Sequence, residues 1–472
     1  MTQPTSVKVR MYRLGELGDC FLLTFNAGGS QSRMLIDCGS FRNSGKSIAR
    51  LGQVVKDIGA EANRRALDLV VGTHQHNDHL SGFVHCEQEF RKLGVGQVWL
   101  SWLDNPKDPM ALGIGKTHHN LKVALHAGRQ ELRGRALSSK GTRALEVLDD
   151  MLGFFGATGN PKEPPELPTQ AVGILKTLGR QEPKYLLPGS VLDIPGLPAG
   201  SVRAYVLGPP RDSALLYRKD PRTGESYDHA LAAAAFTATR FLSALGNRTG
   251  RTSASEGHYP FNEHFKVRGR AGRSPALRKL QSSYDRREDQ WRRIDDDWTQ
   301  QAESLALYLD SFTNNSSLVL AIELVSSGKV LLFAADAQVG NWVSWADVKW
   351  EKAGVTTDDL LSRTVLYKVG HHASHNATLV AALEKMTHSD LSALIPVDKT
   401  DPQITKLNGW RMPAQNLFKR LREKTSDRVL QMDDVNLPGC ELTSAAVMAS
   451  WKKIGVQPKV TPMYVEVEVG DK

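Results

Sequence analysis

Cysteine is scarce in this chain of 472 residues, and its four copies, Cys20, Cys38, Cys86 and Cys440, include no Cys-x-x-Cys pair. That spacing points away from a disulfide framework and from a thiolate metal site, and toward reduced core residues of a cytosolic protein. Long apolar runs are missing as well. No stretch approaches the roughly 18 apolar residues that span a bilayer, and residues 1–10 hold no apolar signal-peptide core. Neither export nor a membrane partner is expected, and the expected location is cytoplasmic. A Walker-type phosphate loop and a Gly-x-Ser-x-Gly elbow are also absent, which argues against the NTPase and serine-hydrolase chemistries built on them. No internal repeat or heptad array is visible.

What is present is the composition of a globular protein, 40% hydrophobic and 24% charged. Sixty Lys and Arg against 51 Asp and Glu give a net charge of +9. This favours anionic partners without separating nucleic acid from nucleotide or acidic protein. The length fits two or three average domains, or one domain carrying insertions.

Along the chain, Val7 to Leu14, Cys20 to Phe25 and Met34 to Ile36 predict a β-meander broken by glycine turns. A helix over Ser47 to Ile58 and a buried strand over Leu67 to Val71 follow. Gln97 to Trp102 predicts a strand, Met110 to Arg135 and Thr142 to Phe155 predict helices, and the proline-rich Asn160 to Pro168 predicts a loop. After a second β-rich passage ending at Gly208-Pro209-Pro210, the composition changes. Lys266 to Arg287 carries eight basic residues against the single acid Asp285. Trp291, Ile294, Trp298, Ala302, Leu305, Leu309 and Phe312 then repeat at the spacing of one apolar helix stripe. Strands return at Ser317 to Leu324, Lys329 to Phe333 and Thr364 to Val369. The expected organisation is an α/β domain in two parts, residues 1–210 and 291–472, separated by a basic, partly helical insertion at residues 211–290.

The strand over Leu67 to Val71 leads into Thr73-His74-Gln75-His76-Asn77-Asp78-His79, three imidazoles and a carboxylate within six positions. His74 and His76 alternate, so an extended loop puts both on one side, while Asp78 and His79 can face a second ion. Imidazole with carboxylate suits zinc, or manganese or iron when more oxygen ligands join. Two later strands also end in potential ligands, Asp336 and the pair His371-His372.

The His-x-His-x-Asp-His pattern resembles the signature of the metallo-β-lactamase superfamily. Gly18-Asp19-Cys20-Phe21, Leu35-Ile36-Asp37-Cys38-Gly39, Asn314-Asn315-Ser316-Ser317, Leu331 to Ala337 and Lys368-Val369-Gly370-His371-His372-Ala373-Ser374 are similar to segments of its ComEC-like branch. The resemblance covers roughly residues 7–110 and 200–425 without the insertion. It implies an αββα sandwich and two divalent metal ions, zinc or manganese. His74 and His76 would bind one ion, Asp78, His79 and His372 the other, and Asp336 would bridge them. Asp78 or Asp336 would orient the attacking water, and His371 would orient a ligand or contact a phosphate. Asp37 would support the histidine loop. Asp19 would either do the same or cap a turn.

Two departures stand out. Many members supply another histidine to the first ion; His118 and His119 are the candidates here. Met412, in Asn408-Gly409-Trp410-Arg411-Met412-Pro413, stands where the ComEC-like segment has histidine. The expected function is hydrolysis by a metal-activated hydroxide, with a phosphodiester of nucleic acid or a nucleotide as the leading substrate class. Lys266, Arg268, Arg270 and Arg273 would hold the phosphate backbone, or else form a solvated loop or a surface for a protein partner. The alternatives are a cytosolic lactone, thioester or β-lactam hydrolase and a non-catalytic, metal-stabilised binding module. His375 is either a further polar contact or a surface histidine.

Overall fold

A computed structural model describes residues 5–63, 66–133, 139–156, 166–218, 274–284, 286, 288, 297–351, 354–405, 410–433 and 444–471. By its internal contacts the chain divides into two units. One comprises Met1–Lys116, Gly153–Leu231 and Asp310–Lys472, and the other Thr117–Leu152 and Ala232–Leu309.

The first unit is mixed α/β, with two mixed sheets among the described residues. The first sheet begins as the expected meander. Gly28 and Gly29, at φ 56° and 79°, make the two-residue turn that pairs Cys20–Ala27 with Ser30–Cys38. The third strand is therefore longer at both ends than the Met34 to Ile36 segment that its hydrophobicity suggests. Leu67–Val71, Val95–Ser101 and Lys184–Leu186 extend the sheet in parallel, and on its other side Tyr464–Gly470 pairs with Ser6–Tyr12 and Lys459–Val460 forms the edge. In the second sheet, Val202–Gly208, Val319–Leu324 and Lys329–Phe333 are antiparallel neighbours. Thr364–Lys368, Ser392–Ile395 and Val429–Gln431 then add in parallel.

One apolar core takes side chains from both sheets, including Val9, Phe21 and Val71 with Val206, Leu320 and Phe333. The alternation of strand side chains sends Val70 to the other face of the first sheet, against Leu51, Val54 and Ile58 of the helix Gly45–Glu61 and Leu175 of the helix Leu167–Leu178. Leu332 and Tyr367 likewise leave the shared core and meet Trp342, Trp345 and Leu360. Pro168 does not continue the expected loop. It stands in the first turn of the helix Leu167–Leu178, where a missing N–H costs no intrahelical bond.

The second unit is helical among its described residues. Helices Pro109–Arg133 and Ser139–Phe154 run into it, and within it Arg129 and Arg133 both pair with Asp149. Of the expected apolar stripe, Ala302, Leu305 and Leu309, and Phe312 in the first unit, are buried on the helix Asp297–Asn315, while Trp291 and Ile294 fall outside the described residues. Within 211–290, the described parts include the short helix Ser213–Leu216 and the helix Pro275–Tyr284. Lys266, Arg268, Arg270 and Arg273 lie outside the described residues.

Candidate metal centre

Parallel strands leave their C-terminal ends on a common edge, and the loops beyond those ends carry the polar residues of an open α/β sheet. Here Leu67–Val71 leads to His74, Lys329–Phe333 to Asp336 and Thr364–Lys368 to His372. The local backbone is unusual at these exits. Asp37, Ala335, His371, His372 and Ala373 all have φ between 40° and 58°, a region costly for residues with a Cβ and common where function overrides local preference.

Asp37 organises the histidine loop. Its carboxylate accepts from Thr73 N at 2.9 Å and Thr73 Oγ1 at 2.6 Å, and stands 2.7 Å from His79 Nδ1. Gly39 allows the helix Asn77–His85 to start against this strand end, since a Cβ there would lie 2.5 Å from the Asp78 carbonyl carbon. Asn77 Nδ2 donates to the carbonyls of Ser40 and Phe41 and fixes the helix start to the same loop.

With the loops so held, one ligand atom from each of Asp78, His79, Asp336 and His372 lies within 4.8 Å of the others. All four residues are buried. His372 Nε2 is 2.9 Å from Asp78 Oδ2 and 3.2 Å from Asp336 Oδ2, and His79 Nε2 is 3.2 Å from the same Asp336 oxygen. The imidazoles turn their other nitrogens outward, His79 to Asp37 and His372 to the Pro396 carbonyl at 3.1 Å. This outer support is what metal-ligating histidines characteristically have. His79 Nε2 and Asp78 Oδ1 are buried without a hydrogen-bond partner, an expensive state that a cation would relieve. The group can therefore hold a metal ion.

The electrostatics agree with the geometry. Burial alone would lower the His79 pKa, but Asp336, Asp19, Asp78 and Asp37 hold it well above the ordinary histidine value. His372 is likewise pushed up to about 10 against burial, by Asp336, Asp78 and Asp19. Asp336 is held well below the usual carboxylate range against the opposing effect of burial, with His372, His79 and Lys368 lowering it. The carboxylates thus favour the protonated form of both histidines.

His74 and His76 stand differently. Their Nε2 and Nδ1 atoms are 3.2 Å apart, while burial pushes His76 down to about 3 and His74 well below its ordinary value. Burial thus favours the neutral form of both imidazoles, the form in which a ring nitrogen can ligate a metal. His371 is half-buried and pushed down to about 4 by burial, with Ser374 Oγ at 2.7 Å and Asn376 Oδ1 at 3.1 Å from its Nδ1. The Asp19 carboxylate is buried beside Asp37 and His79. It lies 2.5 Å from Lys368 Nζ, 3.5 Å from His372 Nδ1 and 3.8 Å from His79 Nδ1.

Asp310 is a neighbour of the site that motif reading passed over, and Lys368 and Asn314 are neighbours that it included within longer segments without assigning them a role. Lys368 is 1% exposed, and its ammonium touches Asp19, Asp336 Oδ1 at 3.4 Å and the Ala335 carbonyl at 2.9 Å. A lysine closing an otherwise apolar strand was the available signal. Asp310 and Asn314 sit on the helix Asp297–Asn315, where nothing in the apolar stripe marks them. His118 and His119 belong to the second unit, and His375 is exposed. Met412 is half-buried and packs against the outer apolar cluster of the second sheet.

An aromatic group borders the histidine pair. Phe154 and Phe155 approach the His76 ring at 5.2 and 5.1 Å, and Phe154 stacks on Trp410 at 5.3 Å. Compared with protein-family models and with curated proteins, the chain matches none.

Proposed function

We propose that this protein is a metal-dependent hydrolase of the metallo-β-lactamase type, most simply a phosphodiesterase acting on nucleic acid or nucleotides. The observation that carries the reading is the convergence of Asp78, His79, Asp336 and His372 from three separate strand exits into one buried cluster with orphaned ligand atoms. Two sheets sharing a core, each with helices on its other face, fit the αββα sandwich that the sequence resemblance implies.

Asp78, His79 and His372 would hold one divalent ion, His74 and His76 a second, with Asp336 between them. Zinc and manganese both suit this mixture of imidazole and carboxylate. Divalent ions at such a site supply Lewis acidity and make water a nucleophile near neutral pH. The chain's own residues do the rest. Asp37 and Pro396 orient the His79 and His372 rings, while Lys368 neutralises Asp19 and draws one oxygen of Asp336. Gln338 and Asn314 bring amide nitrogens to 3.4 Å from His371, a neutral polar wall suited to contact a phosphoryl oxygen. The preference for a phosphodiester rests on the sequence resemblance and the +9 charge.

Hydrolysis of bis-p-nitrophenyl phosphate, compared with lactone and thioester substrates, tests the reading in protein loaded with zinc or manganese. Phosphodiester turnover that is lost in His76→Ala and Asp78→Ala is the expected result. Turnover confined to the lactone or thioester would transfer the site to ester hydrolysis. No metal-dependent turnover of any of them would overturn the enzyme reading.

A further inference from the structure

We propose that Asp310 is the residue that positions His76, holding its proton on Nε2 so that the Nδ1 lone pair faces His74 and an ion between them. The inference rests on the metal-centre reading and adds a residue to the half of the site where the sequence left a ligand question open.

Two nitrogens each about 2.0–2.1 Å from one tetrahedral ion lie ~3.3 Å apart. His74 Nε2 and His76 Nδ1 are 3.2 Å apart, a contact in which one ring donates to the other and whose length matches the separation of a chelating pair. For both to offer lone pairs, the single proton of neutral His76 must sit on Nε2. That nitrogen is buried and has no hydrogen-bond partner, and a buried N–H left so is costly. Asp310 Oδ1 lies 3.8 Å from it. The gap is roughly 0.8 Å longer than an ordinary N–H···O bond, within reach of a small ring rotation.

The carboxylate is held for this task. Its other oxygen accepts from Asn314 Nδ2 at 3.2 Å, one helical turn further on, where residues four apart share a face. Asn314 is 1% exposed, and the same amide nitrogen lies 3.4 Å from His371 Nε2. One turn of one helix thus spans from the first histidine motif to the last.

The other site imidazoles repeat the pattern. His79 has Asp37 behind it, His372 has the Pro396 carbonyl, and His74 has Thr73 Oγ1 at 3.1 Å. Asp310 completes the set for His76. Such partners fix the ring and raise ligand basicity, and losing one typically weakens metal affinity roughly 10–100-fold.

The test uses the full chain, with ¹⁵N-labelled histidine, as wild type, Asp310→Leu and Asp310→Asn. In metal-free protein near pH 7, long-range ¹H–¹⁵N spectra should show His76 as the Nε2–H tautomer in wild type and in Asp310→Asn, which keeps an acceptor oxygen. Asp310→Leu should lose that preference. In zinc titrations, Asp310→Leu should weaken one bound ion roughly 10–100-fold and leave the other unchanged, with Asp310→Asn restoring most of the loss. An Nδ1–H tautomer in wild type would overturn the proposal even if the leucine variant failed to fold, as would wild-type tautomer and affinity in a folded Asp310→Leu. If wild type bound no ion, the metal reading would fall, while the metal-free tautomer would still decide the role of Asp310.

Discussion

The His74 and His76 side of the site and the His79 and His372 side use the same imidazole chemistry and differ in their carboxylates. Four of them, Asp336, Asp19, Asp78 and Asp37, raise His79 against burial, and three of the same set raise His372 to about 10. Around His74 and His76 burial wins, and His76 falls to about 3. On one side burial therefore outweighs the nearby carboxylates and favours neutral imidazoles, and on the other the carboxylates outweigh burial and favour protonated ones. The lesson is that surrounding carboxylates, more than ligand identity, set how strongly each side calls for a cation.

Removing the carboxylate expected to serve both sides should break the comparison most severely. Asp336→Ala should abolish binding of both ions at micromolar concentration and reduce hydrolysis by roughly a thousandfold or more, since several kcal/mol of charge stabilisation would go. His74→Ala should remove one ion only. Equal ion counts in the two variants, measured by elemental analysis after removal of excess metal, would erase the distinction between the sides.

A smaller effect follows from pH. His372 has a folded pKa raised to about 10 above an ordinary value of about 6.5. The stability this gives metal-free protein is fully present below about pH 6.5 and is lost as pH rises through 10. Thermal unfolding of metal-free protein should show a falling Tm across that window. Metal binding should run the opposite way, strengthening with pH and releasing protons, which calorimetry in buffers of different ionisation enthalpy can count. A flat Tm together with proton-neutral binding would show that the carboxylate-rich side does not hold protons.

Much of the site was legible in the sequence because its chemistry is local. His74 to His79 sit within six positions after an apolar strand, and Asp336 and His372 each follow another. The meander was legible too, since alternating apolar residues and paired glycines are short-range signals. What escaped depends on distance in the chain. Asp310 comes within 3.8 Å of His76 only because a helix ends beside a loop more than two hundred positions earlier, and Lys368 finds Asp19 across the two sheets. The helix Leu167–Leu178 was hidden by a proline that reads as a loop residue until its place in the first turn is known. The cost of left-handed backbone at Asp37, Ala335 and His371 also leaves no mark in composition, because none of these residues is glycine.

Counting the ions is the most direct check on a divalent-metal centre. Metal-free wild-type protein, titrated with zinc or manganese and freed of excess, should retain two ions per chain, with binding lost in Asp336→Ala. Wild-type protein that retains no ion, or an Asp336→Ala variant that retains as many as wild type, would contradict the assignment of this buried cluster as a metal centre.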